Sequence, residues 1–261
     1  MTLVRHELRQ GAKALAIWSA AIGGFMAICV FMYPQMRSEM EGVTALFAAM
    51  GAFTAAFGMD RLSIGTFIGF YALECGNILG MGGAFFASLT AINALAKEER
   101  ERTAEFLLTH PVGRGWVITQ KLLSVLLQIA ALNAVVLGMS LASMFAIGED
   151  ILWKEWGLLH LGYLCMQVEL GCVCFGLSAF LRRGGPGIGI GLAAMLYVLN
   201  LIANIAKDAA FLKYVTPFGY AEGADIITNG RLDATLLALG ALYAAAGLAA
   251  AYGKYATKDI H

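Results

Sequence analysis

The chain has 261 residues, 59% hydrophobic and 14% charged, with a mean hydropathy of +0.72. An average soluble domain carries roughly 25% charged residues, so this composition excludes a water-soluble enzyme. Eighteen basic residues balance eighteen acidic ones, and no net positive charge points to nucleic acid.

The length is better counted in membrane spans than in soluble domains, because one span takes ~20 apolar residues. The segment from Met1 to Lys13 is polar and mixed in charge. Leu3, Val4, Leu8 and Ala12 lie on one side of it, with Arg5, Glu7 and Arg9 on others. This pattern predicts an amphipathic helix at the inner membrane surface, where it would serve as an anchor to anionic lipid and a topology signal. The apolar run behind it is too long for a signal-peptide core, and no cleaved signal is expected.

Six charge-poor runs predict spans over about 14–33, 70–96, 117–147, 156–181, 187–206 and 234–253. Each is long enough to cross a ~30 Å hydrocarbon core as a helix, which satisfies its backbone internally. No segment shows the alternation of a membrane barrel strand. The expected fold is therefore all-α integral membrane, with 1–261 forming one transmembrane domain.

A further apolar run, 42–59, is assigned by loop charge, since cytoplasmic loops collect Lys and Arg. With six spans and an inside N-terminus, twelve basic and six acidic residues fall inside, against six basic and ten acidic outside. If 42–59 also spanned, the basic residues would split eight inside and ten outside, and the bias would vanish. Both termini are thus expected in the cytoplasm, with 42–59 external or re-entrant, or folded with 62–71 as a helical hairpin into the outer half of the bundle. Val43, Leu46, Phe47, Met50, Phe53 and Phe57 would form its bulky face.

The five cysteines, Cys29, Cys75, Cys165, Cys172 and Cys174, lie in apolar runs without metal-ligand spacing. The four histidines are scattered. No catalytic set and no metal set is found. The glycines after Arg183 lack the Lys-Ser/Thr ending of a phosphate loop, and no strand precedes them.

Ionisable groups deep in a span usually face a cavity or a partner. Glu169 sits near the middle of its span, with two readings open: a cavity-lining contact to a polar or cationic substrate, or a protonated or hydrogen-bonded clamp between helices. Glu74 and Asn77 fall near the outer mouth of the second span. Asn133 and Asn200 are mid-span or outer-half amides, of the kind that binds helices together or lines a path. Glu169, Glu74, Asn77, Asn133 and Asn200 are the candidates for a substrate path. Tyr214, Pro217, Phe218 and Tyr220 mark the last outside loop.

The most informative segment is the connection from Lys97 to Lys121. Its charges crowd the first half, including Glu98, Glu99 and Arg102. Thr103 is a fitting N-cap, Glu105 suits a positive helix N-terminus, and Pro111 ends the helix. Phe106, Leu107 and Leu108 then give a short helix, about 103–109, an exposed apolar edge that calls for a partner.

These residues resemble the permease subunits of ABC-2 type ABC transporters. Their signature runs E-x-x-x-G-T-x-E-x-L-L-x-x-P-x-x-R, followed by a Lys just inside the third span. Here it is carried by Glu98, Thr103, Glu105, Leu107, Leu108, Pro111, Arg114 and Lys121, with Arg102 in place of the usual Gly. The resemblance implies a six-span exporter of a bacterial cytoplasmic membrane. It also implies that the 103–109 helix and its flanks seat on a cytoplasmic ABC ATPase. The chain itself would bind no cofactor, and ATP and Mg would belong to that partner. Two permease halves are implied, either two copies or one copy with a different permease. The other class considered is a secondary transporter driven by an ion gradient. That class often shows inverted repeats and several midplane charges. Here there is no repeat, and Glu169 is the one such charge.

Overall fold

A computed structural model describes residues 2–37, 51–62, 65–97, 113–181 and 185–257. All regular structure among them is helical. Six helices are long and apolar enough to cross a membrane. They are α1 (Thr2–Arg37), α3 (Phe67–Ile92), α4 (Arg114–Ile147), α5 (Trp153–Ser178), α6 (Pro186–Ile205) and α8 (Ala234–Thr257). Two short helices, α2 (Ala52–Ala56) and α7 (Gly223–Asn229), lie in connections. The expected coupling helix, with Glu98, Glu99, Arg102, Thr103, Glu105, Phe106, Leu107, Leu108 and Pro111, lies outside the described residues, as does 42–50.

The amphipathic N-terminal segment is continuous with the first span. Helix α1 has 36 residues and α4 has 34, so each is over 50 Å long and outreaches a ~30 Å hydrocarbon core. The two run parallel: Glu7 meets Lys121, Gly11 faces Gln128, Gly23 faces Met139, and Arg37 pairs with Glu149. Helix α3 runs back antiparallel to α1 and packs beside this pair. Its Phe67 and Phe70 pack on Tyr33, and Phe86 packs on Trp18.

Helix α5 sits at the centre of the bundle against α3, α4 and α8. Small residues permit its close approaches. A Cβ on Gly83 would collide with Gln167, and one on Gly76 with Tyr163. On the other side, a Cβ on Gly176 would strike the backbone of Gly247, and one on Gly247 would lie 2.8 Å from the Cys172 carbonyl oxygen. Buried hydrogen bonds also join the helices inside the bundle. Tyr71 Oη bonds Ser140 Oγ at 2.5 Å and His160 Nε2 at 2.9 Å, linking α3, α4 and α5.

The connection after α6 turns back into the bundle, with 216–221 buried. A 3-10 helix, Lys207–Tyr214, leads to a tight 3-10 turn, Pro217–Gly219, and α7 leads away again. Thr216 Oγ1 donates to the Leu196 carbonyl at 2.9 Å. Leu196 lies nine residues before the end of α6, so the chain has folded back by about 14 Å to the helix midpoint. This re-entrant hairpin is where the last outside loop was expected. Thr216 accepts from Phe218 N, which fixes the turn, and Pro217 presets its first residue. Lys213 Nζ and Asp225 Oδ2 lace the two arms at 2.9 Å, and Asp225 also pairs with Arg61 from the segment after α2. Mutual neutralisation lets charged residues sit in a folded-back segment.

Candidate functional site

Two regions carry the polar chemistry. The first lies where α1 and α4 begin and α3 ends. Lys121 is 1% exposed, one turn or two inside α4. Its Nζ contacts Glu7 Oε1 at 3.3 Å and donates to the Ala94 carbonyl at 2.8 Å. Lys97, just past α3, reaches Glu7 Oε2 at 3.2 Å and also bonds Gln10. One carboxylate on α1 thus holds cations from both α3 and α4. A buried cation needs this pairing, since its desolvation costs several kcal/mol. Arg114 Nη1, at the start of α4, donates to the Tyr255 carbonyl at 3.3 Å near the end of α8, where a cation complements the helix dipole. These contacts bracket both ends of the 98–112 connection, tying it to four long helices. Arg114 is the one docking candidate among the described residues.

The second region lies along α5, α6 and the re-entrant hairpin. Tyr220 Oη donates to Glu169 Oε2 at 2.7 Å. Glu169 is 5% exposed and Tyr220 4%. Gly240 on α8 completes the fit, because a Cβ there would collide with the Glu169 carboxylate. Glu169 lines a cavity of about 380 Å³ between α5, α6 and α8, whose other walls are apolar. Tyr220 lines a second, polar cavity of about 680 Å³ on the other side of the hairpin, with Lys213, Asp225, Arg231 and Asp233.

The other path candidates are not gathered around Glu169. Asn77 accepts from Tyr197 Oη at 3.4 Å, and Asn200 donates to Glu222 at 2.9 Å. Both line a small cavity near the base of the hairpin, and Asn204 also donates to Glu222 at 3.0 Å. Asn133 donates to Gln167 Oε1 at 2.6 Å in the α4–α5 seam, where it joins helices. Glu74 is partly buried on α3. Sequence reasoning missed Glu7 as the shared anion, Tyr220 as the partner of Glu169, and Glu222 as a group within the fold. Their partners lie too far apart in the chain for any local pattern to signal them.

The six helices of span length and apolar composition define a polytopic membrane protein. The chain matches the family described as ABC-2 family transporter protein over residues 1–260 and belongs to that family. It is a membrane component of the ABC permease type. No curated protein matches it.

Proposed function

We propose that this chain is the transmembrane half of an ATP-driven exporter in a bacterial cytoplasmic membrane, with both termini in the cytoplasm. The 98–114 segment seats on a separate ABC ATPase, which binds ATP and Mg and supplies the power stroke. The chain itself catalyses nothing. Two halves, either two copies or this chain with a second permease, enclose the path, since six helices are too few to surround a wide polar tunnel.

The observation that carries this reading is the Glu7 clamp. A docking segment transmits force only if its ends are anchored in the helices that must move. Lys97 precedes this segment and Lys121 follows it, and both are held by Glu7 on α1. A push on the segment is therefore felt by α1, α3 and α4 together, and these three run the depth of the bundle. Interfaces packed in this way switch between discrete arrangements rather than deform continuously.

The test is co-purification. Glu105→Arg reverses the charge at the start of the proposed docking helix and should leave the chain in the membrane while removing most of the bound ATPase. Recovery of normal amounts of ATPase with this variant would contradict the assignment.

A further inference from the structure

We propose that the cavity between α5, α6 and α8 binds a lipophilic monocation whose charge pairs with Glu169. This rests on the transport reading above and adds the chemical class of what is carried.

The cavity has one carboxylate and an otherwise greasy lining. Leu170, Val173, Leu177, Leu192 and Leu196 supply aliphatic walls, and Tyr243 supplies an aromatic face. Leu177 and Phe180 at the rim are exposed, so the opening faces the flank of the bundle, where acyl chains would lie in a membrane. A ligand entering there partitions first into lipid, which selects an apolar body. Its volume of about 380 Å³ suits a compact multi-ring molecule rather than a peptide or a polysaccharide.

The sign of the charge follows from Glu169. No Lys, Arg or His among the described residues pairs with it, and its hydrogen-bond partner is the neutral Tyr220. Lys254 stacks on Phe180, eleven residues beyond Glu169 and so about 16 Å along the helix direction. A carboxyl group at this depth either stays neutral or finds a cation. An incoming cation supplies the partner that the fold withholds, and a single carboxylate accommodates a single positive charge. Tyr243 adds an aromatic surface, which attracts soft cations rather than anions.

Tyr220 gives the site a direction. Its hydroxyl occupies one Glu169 oxygen from the hairpin side, and the same residue forms part of the wall of the polar cavity beyond. A cation on Glu169 competes with that hydroxyl. Release of Tyr220 opens the partition between the apolar cavity and the polar one, whose lining carries charges of both signs.

Binding is measured on the purified full chain in nanodiscs, without any ATPase, using tetraphenylphosphonium as the cation and triphenylphosphine oxide as its neutral counterpart. Tetraphenylphosphonium should bind the wild-type chain. Glu169→Gln should weaken it about tenfold or more, the loss of one charge-assisted contact, and leave the neutral probe unchanged. Equal binding of the cation to both chains, or no binding to wild type, would overturn the proposal. A photoreactive aryl-azide phosphonium on the wild-type chain keeps the test independent of how the variant folds. Its label should map to 170–180 or 243–250, and a label confined to other helices would overturn the proposal. Because no ATPase is present, a failure here with intact co-purification removes the substrate class alone.

Discussion

The two polar regions solve the problem of buried charge in opposite ways. At the beginning of α1 and α4, an anion is surrounded by cations of the same chain: Glu7 holds Lys97 and Lys121. Along α5, Glu169 is held by a phenol and by the small residue Gly240, with no cation from the described residues. The first arrangement is closed and rigid. It stabilises one geometry, which suits a point where force enters. The second is incompletely matched in charge, which suits a point where a ligand comes and goes. Structural clamps and binding sites use the same residue types, and the completeness of pairing separates them.

Breaking the closed region should have the larger effect. Lys121→Ala removes a fully buried cation and leaves the Ala94 carbonyl and one Glu7 oxygen short of a partner. It should cost about 3 kcal/mol, the lower end for breaking a buried pair, because Lys97 still neutralises Glu7. Thermal unfolding in mild detergent reads this directly, and a stability within experimental error of wild type would show the clamp to be ornamental.

The stability of the open region should be most sensitive to bulk. Gly176→Val forces α5 and α8 apart where a Cβ would strike the Gly247 backbone. Overpacking of this kind costs about 1–3 kcal/mol. The same denaturation assay checks it, and the loss should be matched by Gly247→Val because both report one crossing.

Between the two regions lies the Asn133–Gln167 bond, which is pure helix joinery on this account. Asn133→Leu strands a buried amide and should cost about 1–2 kcal/mol while leaving cation binding intact. A change in binding larger than the change in stability would move Asn133 from the seam to the path. The smallest effect is expected at Arg37, whose pairing with Glu149 at 3.4 Å is solvent-exposed. Arg37→Ala should shift stability by less than about 0.5 kcal/mol, and raised salt should erase even that.

Much of this architecture is legible in the sequence, because apolar runs of span length have few alternatives in lipid. Six runs predict six helices, and the family emerges from the residues between Glu98 and Lys121. The polar interior is not legible in the same way. Glu7 and Lys121 are 114 positions apart, and Glu169 and Tyr220 are 51 apart, so no periodicity connects them. The hairpin is concealed for a different reason. Lys213, Glu222 and Asp225 make it read as a wet loop, whereas Lys213 and Asp225 neutralise each other and Glu222 is satisfied by Asn200 and Asn204. Charge alone signals exposure, and pairing reverses that signal only once the fold is known.

The central claim is that force enters from the cytoplasm through the segment between α3 and α4. Cysteine accessibility at Phe106 tests it most directly. Cells carrying Phe106→Cys are treated with a membrane-impermeant maleimide, beside cells carrying the unsubstituted chain as background. The account predicts no added labelling in intact cells and clear labelling once the membrane is opened. Added labelling in intact cells would place the segment outside and contradict the account.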